Sequence, residues 1–147
     1  MVIITNNTNR IDKQTFSYAY NQYASLQDRR GGASIGTLSE KSLHAVLKLC
    51  YEPDTDRHEI NVGSFVADIV GEDGIIEIQT RGLSRLKPKL AGLSELCRVT
   101  IVHPIIADKR IISLDGETGQ VISIRKSPKH GTLFGAVREL YTLRNFL

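Results

Sequence analysis

The sequence predicts an α/β fold in which a mixed β-sheet is flanked by helices. Three observations lead to this class. Apolar residues recur at helical spacing after a capping-box pattern at Thr37, residues 99–106 form a nearly continuous apolar run, and short strand-like segments alternate with glycine-containing turns. The chain has 147 residues, of which 41% are hydrophobic and 24% charged, and this composition fits a single compact domain.

The chain divides into an N-terminal arm, residues 1–34, and an α/β domain, residues 35–147. The arm is rich in Asn and Gln, favours a helix within residues 12–27 and ends in a basic hinge at residues 29–32. We expect it to pack on its own domain or on a partner, and a nucleic-acid-binding arm is the alternative. Three tyrosines offer a contact for homo-oligomerisation: Tyr18, Tyr20 and Tyr23.

The first half of the domain predicts a helix followed by two strands. Thr37-x-x-Glu40 marks a helix start, and residues 52–54 end that helix. Residues 58–70 predict one strand, residues 71–74 a turn and residues 75–80 a second strand. The apolar stripe of the helix consists of Leu43, Val46, Leu47 and Cys50.

The second half predicts a helix from Ser84, a central strand over residues 99–106 and a hairpin of residues 109–115 and 121–125. A basic loop, residues 125–131, precedes a last helix capped by Thr132. The result is an α-β-β-α-β core with two extra strands and a C-terminal helix. The residues expected to face inward are Leu86, Leu90 and Leu93 in one helix and Leu133, Val137, Leu140 and Tyr141 in the other.

Several classes of protein are not expected from this sequence. No window approaches 18 uninterrupted apolar residues, and the first 26 residues do not resemble a secretory signal. Cys50 and Cys97 lack the spacing of a disulfide framework or a zinc site, so we expect a cytoplasmic protein and no membrane partner. The patterns GxxxxGK[ST], GxGxxG, GxSxG and HExxH are all absent.

The distribution of charge is more informative than the net charge of +3. Residues 1–34 and 107–147 are basic, whereas residues 35–106 carry ten acidic and eight basic side chains. An acidic middle between two basic ends hints at an anionic substrate held around a metal-binding centre.

Two carboxylates are predicted to face each other in the hairpin of residues 66–79. If the turn spans residues 71–74, Asp68 lies opposite Glu77, and like charges in such a pair are destabilising. A bound divalent cation would explain the pair, because Mg²⁺ prefers oxygen ligands, and the carbonyl of Ile78 offers another. Solvated carboxylates at a strand end, or a pair with Arg81, explain the pattern equally well.

Asp68, eight intervening residues and Glu77-Ile78-Gln79 before a helix resemble the PD-(D/E)XK nuclease motif. The preceding helix and the strand of residues 99–106 are similar to the archaeal Holliday-junction-resolvase branch and to restriction-endonuclease-like folds. This resemblance covers residues 36–106, and the remainder resembles an uncharacterised group of small bacterial proteins. It implies a hydrolase, a Mg²⁺- or Mn²⁺-dependent nuclease that acts on DNA.

The resemblance also assigns roles to individual residues. It makes Asp68 and Glu77 metal ligands and Glu40 the helix-borne acid, although Glu40 at the third helical position equally suits a cap. Gln79 occupies the usual lysine position, and an amide cannot supply the positive charge of a lysine. The next helix offers two replacements, Lys87 and Lys89.

Other residues have two interpretations each. His44 either assists proton transfer or is structural. Arg81 either binds a phosphate or pairs with Glu77. The basic loop either contacts phosphate or is a solvated turn, and its candidate residues are Arg125, Lys126 and Lys129.

Two alternatives to a nuclease follow. Because Gln79 departs from the motif, the chain is alternatively a catalytically inactive nuclease-fold protein that binds nucleic acid or protein. The arm, through its tyrosines, is the third candidate for the functional part. A homodimer is expected if the protein cuts two strands.

Overall fold

The computed structural model describes residues 2–3, 11–29 and 40–146, and the predicted cap at Thr37 and most of the predicted hinge at residues 29–32 lie outside them. The helices are α1 (Lys13–Arg29), α2 (Glu40–Tyr51), α3 (Lys87–Leu93) and α4 (Leu133–Tyr141). The strands are β1 (Val2–Ile3), β2 (His58–Val62), β3 (Phe65–Gly71), β4 (Gly74–Ile78), β5 (Val99–Val102), β6 (Arg110–Leu114) and β7 (Val121–Lys126). Short 3₁₀ helices span Thr55–Arg57, Leu83–Leu86 and Arg144–Phe146.

The strands form two sheets. A five-stranded sheet has the order β1-β5-β4-β3-β2, and β6 pairs with β7 in a separate antiparallel hairpin. In the large sheet β5 runs parallel to β1 and β4, whereas β3 runs antiparallel to β2 and β4. This mixed sheet confirms the predicted α/β class. None of the helices in the described part of the chain has the length and apolar character of a membrane span.

Helices cover both faces of the large sheet. On one face Leu47 of α2 packs against Ile69 and Ile78, and α1 packs behind α2. On the other face the predicted stripe of α3 and the 3₁₀ helix before it is buried against β4 and β5. Successive residues of a strand point to opposite faces, so Ile101 and Val102 join different layers. The core is therefore a sheet between two helical layers.

The first predicted strand, residues 58–70, is wrong as one element. The chain folds back after Val62, which pairs with Phe65, and Gly63 between them has a φ of +60°. This left-handed conformation suits glycine and lets two residues connect the strands. The strand predicted over residues 99–106 likewise ends at Val102, two residues before Pro104, which has no N–H for a ladder.

The last helix begins as predicted but has a different buried face. Thr132 caps it by accepting a hydrogen bond from the Gly135 N–H at 3.1 Å. Three of the four residues predicted to face inward are exposed: Leu133, Val137 and Tyr141. The helix and the residues after it bury Ala136 and Leu143, and Leu140, the fourth predicted residue, is partly buried between them.

The helix predicted in the arm is α1, and it packs on the domain. Phe16, Ala19 and Tyr23 contact the apolar side of α2. The Tyr23 hydroxyl lies 3.0 Å from Ser42 Oγ. Tyr18 and Tyr20 are exposed. Of the three tyrosines proposed for oligomerisation, Tyr23 therefore has a role within the chain.

Candidate functional site: paired carboxylates between two strands

The β3–β4 hairpin has the register that brings the two carboxylates together. Ile69 pairs with Ile76 and Gly71 with Gly74, as the four-residue turn predicts. At the next position of this register, Asp68 and Glu77, carboxylate oxygens accept the hydrogen bonds of the backbone N–H groups. The Ile78 N–H donates to Asp68 Oδ2 at 2.8 Å, and the Asp68 N–H donates to Glu77 Oε1 at 3.2 Å. The carboxylates therefore tie the middle of β3 to the end of β4.

The backbone pattern of β4 explains why Asp68 binds there. The N–H groups of Ile75 and Gln79 donate to β5, to carbonyls of Arg98 and Val102, both at 2.9 Å. Because backbone groups of a strand alternate in direction, the Ile78 N–H points to the β3 side. A buried N–H needs an acceptor, and the Asp68 carboxylate supplies it.

Glu77 is a buried carboxylate with a lysine partner. It is 1% exposed, and Lys89 from α3 places Nζ 2.5 Å from its Oε2. Burial raises the pKa of Glu77 and the charge of Asp68 raises it further, whereas the bond from Lys89 opposes them, and the pKa is raised overall. Glu77 thus holds a proton more readily than an ordinary glutamate.

Asp68 has the opposite shift. Burial raises its pKa, but the hydrogen bonds from His44 and the Ile78 N–H, with the charge of Lys89, outweigh burial and lower the pKa overall. His44 of α2 places Nε2 3.1 Å from Asp68 Oδ2. The two carboxylates are therefore differentiated, with Asp68 ionised more readily than Glu77.

A second ion pair beside Asp68 was missed by sequence reasoning. Lys48 of α2 is buried, and its Nζ donates to Glu59 Oε1 at 2.7 Å. The hydrogen bond from Lys48 lowers the pKa of Glu59, and the Asp68 charge opposes it. Glu59 has a φ of +54° and falls opposite Asp68 in the β2–β3 register. The one available signal was a lysine among the apolar residues of α2.

The other predicted catalytic residues lie elsewhere or outside the description. Gln79 turns away from the pair, since its Nε2 donates to the Arg81 carbonyl at 2.5 Å. Lys87 is exposed, and Lys89 is the one of the two lysines that enters the site. Glu40 begins α2, but its side chain is not among those described.

The described residues contain no group of three or more His, Cys, Asp and Glu side chains placed to hold a metal ion. A divalent cation at this site would therefore have Asp68 and Glu77 as its side-chain ligands in the described part of the chain. The Ile78 residue contributes its N–H to Asp68. The predicted role of its carbonyl as a metal ligand stays a prediction.

The predicted phosphate-binding residues fall into two groups. Arg81 and Lys129 line one cavity, which lies where β4 and β5 end and α4 begins. Arg125 and Lys126 lie on the exposed strand β7, where they pair with Ile111 and Arg110. The structure therefore places Arg81 and Lys129 in one cavity, and Arg125 and Lys126 on a strand apart from it.

The site thus belongs to a mixed α/β domain in which a lysine and a histidine bind two carboxylates on adjacent antiparallel strands. The chain belongs to the family described as "Domain of unknown function (DUF8091)", which matches residues 41–147. It is 36% identical over 115 residues to an uncharacterized protein of Treponema pallidum (strain Nichols), an overlap of 78% of this chain and 45% of that protein. The chain therefore spans less than half the length of this relative. No solved structure gives a significant match.

Proposed function

We propose that this chain is a metal-dependent nuclease of the PD-(D/E)XK type that hydrolyses phosphodiester bonds in DNA. The observation that carries the proposal is the group of Asp68, Glu77 and Lys89. The two carboxylates lie opposite each other on β3 and β4, as the spacing of the motif leads one to expect. Lys89 of α3 contacts Glu77 and would replace the lysine that the motif has at the position of Gln79.

The donor set fits Mg²⁺ or Mn²⁺. Carboxylate oxygens suit these hard cations, and Mg²⁺ commonly binds one or two carboxylates and completes its shell with water and phosphate oxygens. Asp68 favours its ionised form, as a ligand must. When bound, the metal would lower the pKa of a water molecule and neutralise charge on the scissile phosphate.

The protein's own groups supply orientation and positive charge. Lys89 carries a fixed cation to the carboxylate pair, where it stabilises negative charge that develops on a phosphate. His44 holds Asp68 from α2 and lies close enough to exchange a proton with it. These groups come from both helical layers, so the site depends on the packing of α2 and α3 on the sheet.

One observation favours a second candidate, a nucleic-acid-binding protein without cleavage. The carboxylates of Asp68 and Glu77 already accept bonds from His44, Lys89 and the backbone, and the Gln79 amide is bonded to a carbonyl. A closed network of this kind stabilises the fold without any bound metal.

The cellular setting and the assembly complete the proposal. Cys50 and Cys97 are both free thiols, which fits a protein of the reducing cytoplasm. A homodimer would provide two active sites, one for each strand of a duplex. The mass in solution, from light scattering with and without duplex DNA, tests this assembly.

Asp68→Asn is expected to reduce metal-dependent DNA cleavage by roughly a hundredfold or more, as typically follows loss of one group that organises transition-state charge. Single-stranded, duplex and branched DNA would be incubated with Mg²⁺ or Mn²⁺ and with EDTA. The matched control is Asp73→Asn, which removes an exposed carboxylate from the turn of the same hairpin and should leave cleavage unchanged.

One result would decide against the nuclease, and a binding measurement would then test the second candidate. Wild-type protein that shows no more metal-dependent cleavage than Asp68→Asn contradicts the proposal. If that protein still binds DNA in EDTA, the second candidate is supported instead.

A further inference from the structure

A cavity of about 590 Å³ lies between the ends of β4 and β5 and the start of α4. Its wall is strongly basic. Four cationic side chains line it, together with two histidines and one carboxylate, Glu139. The cationic residues are Arg81, Lys109, Lys129 and Arg138.

The acidic groups at this cavity already have partners. Glu139 Oε2 accepts a hydrogen bond from the Leu83 N–H at 3.0 Å, which fastens α4 to the 3₁₀ helix that follows β4. Asp108, which does not line the cavity, places Oδ1 3.6 Å from Nδ1 of His130, which does. Because four cationic side chains and one carboxylate line the wall, the wall has an excess of positive charge, which attracts anions.

The basic loop that forms one side of the cavity is held in place by its backbone. The Ser127 N–H donates to the Lys109 carbonyl, and the Gly131 N–H donates to the Ile106 carbonyl, both at 2.8 Å. A Cβ at Gly131 would lie 2.7 Å from that same Ile106 oxygen, so only glycine allows this approach. A loop fixed in this way, with Lys109 bonded to its first half, presents Lys129 and Lys109 without a large ordering cost on binding.

The cavity begins three residues after Glu77 along the chain, at Thr80. Gln79, two residues after Glu77, bonds to the carbonyl of Arg81, and its own carbonyl lies 2.6 Å from Nδ1 of His103. Arg81 and His103 both line the cavity. Four residues of extended chain, from Glu77 to Arg81, span at most about 13 Å. One nucleic-acid strand rises about 3.4 Å per nucleotide, so roughly four nucleotides cover this distance.

The geometry points to a binding site for backbone phosphates of nucleic acid in this cavity, within about four nucleotides of the bond held at Asp68 and Glu77. The inference rests on the proposed function and adds the path of the nucleic-acid strand beyond the carboxylate pair. Arg138 supplies a planar guanidinium group that binds phosphate oxygens in pairs, and Lys109 and Lys129 add point charges. The sequence of the nucleic acid is not read here, because such contacts position a strand without specifying its bases.

The double variant Lys109→Gln/Lys129→Gln is expected to weaken the salt dependence of DNA binding. Fluorescence anisotropy of a labelled single strand and a duplex, in EDTA over a series of KCl concentrations, measures the slope of log K against log salt. Each lost phosphate contact should reduce the slope by about 0.7 on the single strand and about 0.9 on the duplex. Lys13→Gln, an exposed lysine at the start of α1, is the control and should leave the slope unchanged.

Equal slopes for the double variant, the control and wild type would overturn the inference. It would also be overturned if inorganic phosphate alone raised the melting temperature of wild type, but not of the double variant, while DNA binding stayed the same. That result would define a site for a small free anion. Because EDTA prevents cleavage, the binding measurement is independent of the cleavage test. If the protein cuts DNA but the double variant has the same salt slope as wild type, only the role of the cavity is refuted.

Discussion

Lys89→Met is expected to lower the free energy of unfolding by about 3 kcal/mol, because it leaves the Glu77 carboxylate buried without its cationic partner. Glu77 is 1% exposed, whereas the Lys89 side chain is 21% exposed, which places the effect at the lower end of the range for broken buried pairs. Methionine preserves most of the aliphatic length of lysine, so packing changes little. Urea denaturation of wild type and variant measures the difference.

A matched variant and a double variant separate charge from packing. Lys87→Met removes an exposed lysine from the same helix and should change stability by less than about 0.5 kcal/mol. Glu77→Gln/Lys89→Met removes both charges and should recover much of the stability that Lys89→Met loses. Equal effects of the Lys87 and Lys89 variants would show that the pair contributes nothing to stability.

The destabilisation by Lys89→Met is expected to depend on pH, and the sign of this dependence follows from the pKa of Glu77. The pKa of Glu77 is raised above its ordinary value of 4.5, so between the two values the folded protein binds more protons than the unfolded chain. The contribution of Glu77 to stability is therefore present below pH 4.5 and is lost as pH rises through the folded pKa. Without Lys89 this loss becomes larger, so the destabilisation by Lys89→Met should be smaller near pH 4 than near pH 7.

The pKa of Asp68 is shifted in the opposite direction, so its effect on the pH dependence of stability provides a separate check. Its pKa lies below the ordinary value of 3.8, so its contribution is present above pH 3.8 and is lost as pH falls through the folded pKa. In Asp68→Asn, unfolding free energies between pH 2 and pH 5 should show a weaker loss on acidification than in wild type. A steeper loss would contradict the assignment of Asp68 as the ionised member of the pair.

The position of the carboxylate pair could be predicted because it depends on local geometry alone. A four-residue turn over residues 71–74 fixes the register, and the two-residue period of strands then places Asp68 opposite Glu77. The choice between Lys87 and Lys89 could not be made from sequence. It depends on the phase of α3, which is set by the 3₁₀ helix Leu83–Leu86 immediately before it.

Other features depend on tertiary packing that local patterns do not record. Apolar residues lie on more than one side of α4, so periodicity could not distinguish the buried residues, such as Ala136, from the exposed ones, such as Phe134. The break between β2 and β3 rests on the left-handed conformation of Gly63. Glu59 adopts a positive φ without being glycine, a conformation for which the sequence holds no signal.

Gly74→Ala is expected to lower the free energy of unfolding by about 4 kcal/mol, because backbone strain and overpacking act at the same residue. Gly74 opens β4 with a φ of +123°, and a Cβ there would lie 2.3 Å from the Arg98 carbonyl oxygen. That oxygen accepts the Ile75 N–H, so the clash falls on the first bond between β4 and β5. Denaturant unfolding measures the loss.

Two glycines with fewer constraints separate the causes. Gly63 has a φ of +60° but open space around a Cβ, so Gly63→Ala should cost only the left-handed strain, about 1 to 2 kcal/mol. Gly116 has neither constraint, and Gly116→Ala should be nearly neutral. If Gly74→Ala costs no more than Gly63→Ala, then β4 moves away from Arg98 easily. In that case the close approach of Gly74 to the Arg98 carbonyl is not what fixes the start of β4 beside β5, and the 71–74 turn alone keeps Glu77 in register with Asp68.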